Sequence, residues 1–443
     1  MNSIRIEPGA LKGNISIPPS KSIGHRAIIC AGLAEGSSRI ENIILSQDIL
    51  ATMEGISALG ARIRAVDEPD IADDKATRSK SKSESKSLEI EGIAYPQAPK
   101  SSIDCRESGS TLRFLLPLAS LTGQAVTFTG QGRLKERPLD EYYKIFREQG
   151  VKYITEKGVL PLTVQGRIQP GEFNLRGDIS SQFISGLLFA LPLLQTHSVV
   201  NITTEIQSKG YIDLTLDVLH KFGIMVERKT SQEFWIKGKQ KYRPSHFRVE
   251  GDYSQAAFWI VAGIVNGRIE CLDLRPDSLQ ADREICSIVK KMGGDLRLEH
   301  EILSVRPSTT CGTVIDVSQC PDLVPILAVL GSLSRGTTRI INAGRLRIKE
   351  SDRLRAMATE LNKLGAQVRE LEEGLEIEGV DYLKGGVQVD SWNDHRIAMA
   401  LAVAALRCRQ AITLTGFEAV NKSYPHFWDD FRMLGGKIHY AGR

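Results

Sequence analysis

The chain has 443 residues, which is too long for one ordinary domain and favours two or three. Hydrophobic residues make up 42% and charged residues 25%, as in an ordinary globular protein. A net charge of only +4 excludes the broad positive field of a nucleic-acid-binding protein, so an anion would need a local group of cations.

The cysteines and the N-terminus favour a cytoplasmic protein. The seven cysteines are scattered and contain no C-x-x-C pair, which favours reduced thiols over a disulfide framework or a zinc site. The first residues, MNSIRIEPGALKGNISI, lack the apolar core of a signal peptide. The longest apolar runs, such as FLLPLASL, are too short to cross a bilayer. We therefore expect a soluble protein without membrane attachment.

The first stretch with chemical content is PSKSIGHR, residues 19–26, which directly precedes an apolar helical run. At a helix start, Lys21 and Ser22 can join the free backbone N–H groups in binding a phosphate or carboxylate. The alternative is an ordinary serine-capped helix with solvated basic residues. The anion site gains support because similar segments recur along the chain.

A short landmark repeats from one end of the chain to the other: a helix-like segment ends at a glycine, and a strand-like segment follows. The intervals between successive landmark glycines are 90, 73, 70, 72 and 70 residues. Such regular spacing predicts a repeat architecture. The landmark glycines are Gly60, Gly150, Gly223, Gly293, Gly365 and Gly435.

The one long interval contains a polar segment at about residues 67–87, DEPDIADDKATRSKSKSESKS. A segment with so few apolar residues cannot fold by itself, so we expect a solvated surface insertion of about 20 residues. Without this insertion, the first interval would match the others.

The order of elements within each repeat is also regular. An apolar helix comes first, then a β-type strand, then an amphipathic helix that runs to the landmark glycine. Six such modules of about 70 residues fill the chain. The first helix of each module is apolar nearly all round and should be buried. These helices are predicted in HRAIICAGLA, STLRFLLPLAS, SQFISGLLFALPLL, SQAAFWIVAGIV, LVPILAVLGSL and HRIAMALAVAAL.

Many of the predicted helices begin with polar residues, and several of these residues are cations. Serine and aspartate are ordinary N-caps, but the helix dipole disfavours cations at this end. A polyanionic ligand would explain their repeated placement there. If the modules are quasi-symmetric, these helix starts converge on a shared cleft. The segments are Lys21-Ser22, Ser108-Gly109-Ser110, Ser180-Ser181-Gln182, Ser208-Lys209, Lys349 to Arg353, Asp394-His395-Arg396 and Lys422-Ser423.

Ten segments together identify the chain as resembling the EPSP synthase family, the 3-phosphoshikimate 1-carboxyvinyltransferases. They occur in the family's order, cover all six modules and leave only the 67–87 insertion unmatched. They are PPSKSIGHR, ESGSTLR, GQGRLKERP, DISSQF, QSKGYID, VEGDYSQA, DLVPILA, RIKESDRL, NDHRIAMA and VNKSYPHF.

The resemblance implies an α/β fold, a two-domain inside-out α/β barrel built from six βαβαββ repeats, three per domain. Modules one to three, residues 20–246, would form one domain. Residues 1–19 would join modules four to six, residues 247–443, in the other.

The activity implied by the resemblance is transfer of the enolpyruvyl group of phosphoenolpyruvate to the 5-hydroxyl of 3-phosphoshikimate. The family uses no metal and no organic cofactor, and neither G-x-G-x-x-G nor G-x-x-x-x-G-K-[ST] is present in this chain. We expect these two small-molecule substrates, no nucleic-acid or membrane partner, and a monomer. Closure of the two domains around the ligands is also expected.

Carried over by resemblance, one set of residues would bind 3-phosphoshikimate. Ser22 and Arg26 would bind its carboxylate, Lys21 would reach both substrates, and Tyr211 would pack on the ring. The full set is Lys21, Ser22, Arg26, Ser180, Ser181, Gln182, Ser208, Tyr211, Asp322 and Lys349. For Ser180 and Ser181, helix capping is the alternative.

A second set would bind phosphoenolpyruvate: Lys21, Gly109, Arg133, Gln182, Arg353, Arg396 and Lys422. Arginine matches a carboxylate with two parallel hydrogen bonds, whereas lysine acts as a point charge. For Arg353, three residues after Glu350, the alternative is a surface ion pair on one helix face.

The catalytic residues implied are Asp322, Glu350, Lys21 and His395. Asp322 would take the proton of the hydroxyl, and Glu350 would exchange the proton at C3 of the enolpyruvate. His395 would either donate to phosphate or order the turn around it. His25 is expected to be structural.

Two positions depart from the family pattern and leave sensitivity to glyphosate-type inhibitors open. Glu107 would bring a negative charge near a phosphate site unless it turns away or pairs with Arg106 or Arg113. Arg345 stands where the family often has asparagine.

Two other functions compete with this one. A UDP-N-acetylglucosamine enolpyruvyl transferase would carry a reactive cysteine in the stretch that here reads GQGRLKERPLD, which has none. A non-catalytic anion-binding protein on the same fold would lack Asp322 and Glu350, and both are present.

Overall fold

The computed structural model describes residues 3–67 and 85–441, which form two compact units. Unit I runs from Lys21 to Val249, and unit II combines the chain up to Ser20 with the chain from Glu250 onward. The domain limits 20–246 and 247–443 stay a prediction. The insertion expected at 67–87 falls mainly on residues outside those described, but Asp67 and Lys86 at its two edges are paired strand residues.

Within the described residues there are twelve α-helices, two in each of the six modules. They are α1 Lys21–Gly32, α2 Gln47–Ala58, α3 Gly109–Ser120, α4 Asp140–Glu148, α5 Ser181–Ala190, α6 Lys209–Lys221, α7 Tyr253–Asn266, α8 Glu284–Lys291, α9 Val324–Ser332, α10 Arg353–Lys363, α11 His395–Ala405 and α12 Phe427–Met433. Among the described helices, none is long and apolar enough to span a membrane.

The described residues also contain twenty-four strands. They are β1 Ser3–Ile6, β2 Leu11–Ser16, β3 Gly36–Ile43, β4 Arg62–Asp67, β5 Lys86–Gly92, β6 Ile103–Asp104, β7 Val126–Thr129, β8 Lys152–Glu156, β9 Val159–Gln165, β10 Glu172–Leu175, β11 Ser198–Ile202, β12 Val226–Arg228, β13 Glu233–Ile236, β14 His246–Arg248, β15 Gly267–Leu272, β16 Asp295–Glu299, β17 Ile302–Arg306, β18 Val314–Asp316, β19 Thr337–Ile341, β20 Gln367–Leu371, β21 Gly374–Glu378, β22 Gln388–Asp390, β23 Ile412–Thr415 and β24 Ile438–Ala441.

These strands form six four-stranded sheets with one common plan. In each sheet, the strand after a module's first helix pairs in parallel with one edge strand and antiparallel with its other neighbour, which itself pairs antiparallel with the last strand. The orders are β14-β3-β5-β4, β6-β7-β9-β8, β10-β11-β13-β12, β2-β15-β17-β16, β18-β19-β21-β20 and β22-β23-β1-β24.

The edge strands join consecutive modules and close each unit. The last strand of one module enters the sheet of the next, and β14 returns to the first sheet of unit I beside β3. In unit II the closure uses the N-terminus: β2 lies beside β15, and β1 lies between β23 and β24. The six-module α/β fold is confirmed, and the chain before Ser20 supplies two strands to unit II.

The predicted burial of the first helices is confirmed. Helices α9 and α11 are buried along their whole length, and α7, α9 and α11 pack on one another. In unit I, α3 packs on α5, and α1 contacts α2 and α6. Each unit therefore has its own apolar core, and the polar helix starts lie at the ends of buried helices.

All six landmark glycines follow a helix and adopt positive φ angles, between +67° and +117°. A residue just past a helix end often takes this left-handed conformation, which costs glycine little because it has no β-carbon. The repeat is thus marked by the residue that ends the second helix of each module.

Replacing Gly150 by alanine tests this requirement, because a β-carbon there would meet nothing within 4 Å and only the φ of +67° opposes it. We expect Gly150→Ala to lose about 1 kcal/mol of unfolding free energy, and Gly150→Asn to lose less, since asparagine tolerates this conformation. Urea unfolding followed by circular dichroism measures both. Gly9→Ala is the control, since Gly9 also has open space but no positive φ. Equal effects at the two positions would contradict the assignment.

Candidate active site

The most connected group in unit II surrounds Arg353, the first residue of α10. Its guanidinium donates to Asp322 at 2.9 Å, to Glu350 at 2.7 Å and to Asp394 at 2.8 Å. The side chain is only 1% exposed. The pair with Glu350 exists, but it belongs to a buried cluster rather than to the solvated helix face considered as the alternative.

Asp322 lies in a short 3₁₀ helix, Pro321–Leu323, immediately before α9. One carboxylate oxygen accepts from Arg353, and the other accepts from Nη2 of Arg396 at 3.1 Å. Nζ of Lys349 is 3.9 Å away. Burial alone would raise the pKa of Asp322, but Arg396, Lys349 and Arg353 together hold it below its ordinary value. The carboxylate is therefore ionised at neutral pH and able to accept a proton.

Asp394 is the member of this cluster that the sequence-based assignment of site residues missed. It is fully buried and caps α11 by accepting from the backbone N–H of Arg396. It also accepts from the hydroxyl of Ser351 at 3.0 Å and from Arg353. The signal in the sequence was an N-cap aspartate two residues before an arginine, but capping alone explained it.

The remaining predicted residues of unit II lie around this cap. His395 is buried, and its Nδ1 lies 3.8 Å from a carboxylate oxygen of Asp394. Lys422, at the end of the 3₁₀ helix Phe417–Lys422, donates to the backbone oxygen of Asn393 at 2.6 Å. The two roles predicted for His395 both stay open.

In unit I, the PSKSIGHR segment forms the start of α1. Nζ of Lys21 lies 2.7 Å from a carboxylate oxygen of Asp48, in the first turn of α2. Arg26 is buried and donates to Thr215, to the backbone oxygen of Ser22 and to that of Tyr211. Burial lowers the pKa of Arg26 to about 10, so it remains charged at neutral pH. Arg26 therefore ties α1 to α6, in addition to any contact with a ligand.

The start of α3 brings two predicted residues, Gly109 and Gln182, together with two arginines that were not predicted. A β-carbon on Gly109 would lie 2.7 Å from Nη1 of Arg137 and 2.9 Å from Nη1 of Arg113. Arg113 donates to Gln182 at 3.0 Å, and Gln182 donates to Ser110 at 2.9 Å. The guanidinium groups thus approach the backbone at the helix start, where glycine leaves them room.

The predicted phosphate-binding serines also occupy helix starts. Ser180 caps α5, and Ser181 is the first residue of that helix. Ser208 precedes α6 with a φ of +58° and is buried, and Tyr211 follows in the first turn, half-buried. Helices α5 and α6 pack on each other. Capping, the alternative for Ser180, is observed.

Three further residues singled out in the sequence are Arg133, Glu107 and Arg345. Arg133 is exposed on the 3₁₀ helix Gly132–Glu136. Glu107 lies beside Gly132, where a β-carbon would be 2.6 Å from its carboxylate. Of the two arginines suggested as partners of Glu107, Arg106 pairs with Glu54, and Arg113 donates to Gln182. Arg345 donates to the backbone oxygen of Ser318.

Together these features define an α/β protein with three repeated modules in each unit, whose helix starts carry cations, hydroxyls and carboxylates. Such sites suit ligands with several phosphate and carboxylate groups. Within the described part of the chain, no group of three or more His, Cys, Asp or Glu residues is arranged to hold a metal ion.

Comparison with known proteins gives the family. The chain belongs to the EPSP synthase family, described as EPSP synthase (3-phosphoshikimate 1-carboxyvinyltransferase), whose profile matches residues 6–431. It is 56% identical over 440 residues to a 3-phosphoshikimate 1-carboxyvinyltransferase of Clostridium acetobutylicum, covering 99% of each chain. It is 54% identical to one of Clostridium novyi, covering 99% of this chain and 98% of the relative. A solved structure of EPSP synthase from Acinetobacter baumannii has a TM-score of 0.81 at 26% identity, with both chains fully covered.

Replacing Arg353 by methionine tests the buried cluster, because it leaves three carboxylates without their shared cation. We expect a loss of about 3–5 kcal/mol of unfolding free energy at pH 7.5. Removal of Arg353 raises the pKa of Asp322, because Arg353 is one of the cations that hold it down, so the loss should not grow as the pH falls toward 5.5. In the parent chain the depressed pKa of Asp322 contributes stability that is fully present above about pH 4. This contribution is therefore the same at pH 7.5 and at pH 5.5.

Urea unfolding at pH 7.5 and 5.5 measures the effect. Arg369→Met is the matched control, since Arg369 also pairs with a carboxylate, Glu376, but is 66% exposed. Its substitution should change the stability by less than about 1 kcal/mol. A loss for Arg353→Met that grows on acidification would contradict the cluster.

Proposed function

We propose that the chain transfers the enolpyruvyl group of phosphoenolpyruvate to the 5-hydroxyl of 3-phosphoshikimate. The products are 5-enolpyruvylshikimate 3-phosphate and phosphate, a step of the shikimate pathway toward chorismate and the aromatic amino acids. The observation that carries the proposal is Asp322: an ionised carboxylate held among Arg353, Arg396 and Lys349. The similarity to relatives named 3-phosphoshikimate 1-carboxyvinyltransferase, which covers 99% of this chain, supports the proposal.

The reaction needs a base for the hydroxyl and a group that moves a proton on and off C3. In the addition step, Asp322 takes the hydroxyl proton as the oxygen attacks C2, and C3 gains a proton from Glu350. The product of this step is a tetrahedral ketal. In the elimination step, C3 returns a proton to Glu350 while the bond from C2 to the phosphate oxygen breaks, and Asp322 gives the hydroxyl proton to the departing phosphate. Lys349 is proposed to hold the substrate hydroxyls beside Asp322.

The cations of unit II would bind phosphoenolpyruvate through Arg353, Arg396 and Lys422. Both arginines donate to Asp322. Binding an anion there would redirect part of their hydrogen bonds from Asp322 to the substrate. Because the pKa of a carboxyl group rises when cations turn away from it, this exchange would make Asp322 a stronger base when substrate is bound.

The residues of unit I would supply most contacts to 3-phosphoshikimate. Hydroxyls donate to a phosphate without adding charge, which suits Ser180, Ser181 and Ser208. Lys21, Gly109, Arg133 and Gln182 would reach phosphoenolpyruvate. The proposed groups thus include donors for two phosphates and two carboxylates.

The direct test measures phosphate release. We expect release only when 3-phosphoshikimate and phosphoenolpyruvate are both present, in EDTA and without nucleotide. UDP-N-acetylglucosamine in place of 3-phosphoshikimate serves as the control. No release with the pair, or equal release with UDP-N-acetylglucosamine, would overturn the proposal.

The proposed proton-transfer roles predict a separation of turnover from binding. Asp322→Asn and Glu350→Gln keep the shape of each side chain but remove its ability to carry a proton. We expect kcat to fall on the order of 10²- to 10⁴-fold, with 3-phosphoshikimate still bound in calorimetry. Asp217→Asn, in an exposed pair with Lys221, is the matched control. Lost binding in both variants, or unchanged kcat, would refute the roles.

Location and assembly are part of the proposal. All seven cysteines are free thiols, which supports a reducing, cytoplasmic environment. That the chain acts as a monomer remains a prediction, which light scattering of the purified protein tests.

A further inference from the structure

A buried chain of hydrogen bonds crosses three helices of unit I. Nδ1 of His25, in α1, lies 2.7 Å from the hydroxyl of Thr52 in α2. That hydroxyl lies 2.6 Å from the hydroxyl of Thr111 in α3, which donates to the N-cap hydroxyl of Ser108 at 2.8 Å. All four side chains are at most 1% exposed.

The direction of this chain follows from its last bond. Thr111 uses its only hydroxyl hydrogen on Ser108, so it must accept from Thr52. Thr52 has then used its own hydrogen and must accept from His25. The proton of the neutral imidazole is therefore on Nδ1, and Nε2 carries the lone pair.

The surroundings of Nε2 favour this neutral form. Nε2 is buried and has no hydrogen-bond partner among the described residues. A proton there would be an unpaired buried donor beside the ring of Phe114, whose centroid is 6.5 Å from that of His25. The charged groups nearby, Lys21 and Arg26, repel a second proton, while Thr52 of α2 and Phe114 of α3, which contact the ring, are uncharged. Burial, Lys21 and Arg26 accordingly lower the pKa of His25 well below 6.5.

We propose that His25 is a positioning residue that orients the start of α3 through Thr52 and Thr111. The chain ends at Ser108, whose oxygen also caps the backbone N–H of Thr111. Gly109 and Ser110 follow directly, beside Arg113, Arg137 and Gln182. A fixed Ser108 therefore fixes the place where those groups meet. The kinetic part of this inference rests on the proposed function, in which the α3 start binds phosphoenolpyruvate.

The alternative is that the chain only stabilises the packing of α1, α2 and α3. The two roles differ in their effect on the substrates. A packing role would lower the melting temperature without separating one substrate from the other. A positioning role acts at the α3 start and raises the KM for phosphoenolpyruvate more than the KM for 3-phosphoshikimate.

The first measurement needs no substrate and only one variant, His25→Asn, which assigns the His25 signal. The protein labelled with ¹⁵N-histidine is examined by long-range ¹H–¹⁵N correlation near pH 7.5, and the His25 signal is the one lost in His25→Asn. We expect the Nδ1–H tautomer. An Nε2–H tautomer or a charged ring would overturn the inferred direction of the chain, whether or not the protein is an enolpyruvyl transferase.

The second measurement compares matched variants by the phosphate-release assay. Thr52→Val removes the hydroxyl with little change in volume, and Thr52→Ser restores it. His25→Asn keeps a donor at the position of Nδ1, whereas His25→Leu does not. We expect Thr52→Val and His25→Leu to raise the KM for phosphoenolpyruvate about five- to tenfold, the effect of one lost hydrogen bond. Thr52→Ser and His25→Asn should stay within about twofold of the parent chain, since they keep that bond.

The outcomes separate the two proposals. An inactive parent chain refutes the enolpyruvyl transfer, and the tautomer measurement still tests the hydrogen-bond chain. With an active parent, an unchanged KM in Thr52→Val overturns the positioning role. Equal rises for both substrates, or a rise that Thr52→Ser shares, also overturn it. If Thr52→Val and His25→Leu do not fold, the KM values of Thr52→Ala test the positioning role by the same criteria. The tautomer measurement still tests the direction of the hydrogen-bond chain.

Discussion

The arrangement of unit II depends on one buried guanidinium. Arg353 starts α10, Asp322 precedes α9, and Asp394 caps α11, so three helix starts meet around one side chain. A rigid planar guanidinium with five donors can bind three carboxylates in fixed directions, whereas a lysine ammonium is a compact point charge on a flexible stem. Because a buried charge without its partner is costly, the cluster holds together only as a whole. The same contacts that keep Arg353 buried also keep Asp322 ionised.

Charge is distributed differently around the helix starts of the two units. In unit II, Arg353 and Arg396 donate to carboxylates, which offset much of their attraction for an anion. In unit I, Arg26 donates to a hydroxyl and two backbone oxygens, which leaves its charge in place. Arg26 therefore keeps its charge for an anion, although Lys21 beside it pairs with Asp48, whereas unit II keeps carboxylates that can move protons. This division suits a reaction that needs both binding of anions and transfer of protons.

The sequence predicts the repeat well because its signals are local. Each landmark glycine reports a left-handed residue after a helix, and each apolar run reports a buried helix, so six modules can be read without knowing how they pack. The hydrogen-bond partners of the site residues, in contrast, lie far away along the sequence. Asp394 lies 41 residues from Arg353 and Thr215 lies 189 from Arg26, and no pattern in the chain announces such contacts. Arg137 was missed for the same reason, because it approaches Gly109 only through the fold, whereas Arg113 lies in the same helix as Gly109.

The N-terminal strands give the chain an unusual order of folding. Ile4 of β1 pairs with Leu414 of β23, nearly the full length of the chain away, while every strand of unit I has its partners between Lys21 and Val249. During synthesis unit I can assemble as soon as it leaves the ribosome. Strand β2 must wait for β15, and β1 must wait for β23 and β24 near the end of the chain, the latter a delay on the order of tens of seconds. Throughout that time they are unpaired strand edges, which pair readily with other chains. The polar and charged residues that alternate with Ile4 and Ile6 in β1, and the glycine within β2, weaken such pairing while the rest of unit II is being made.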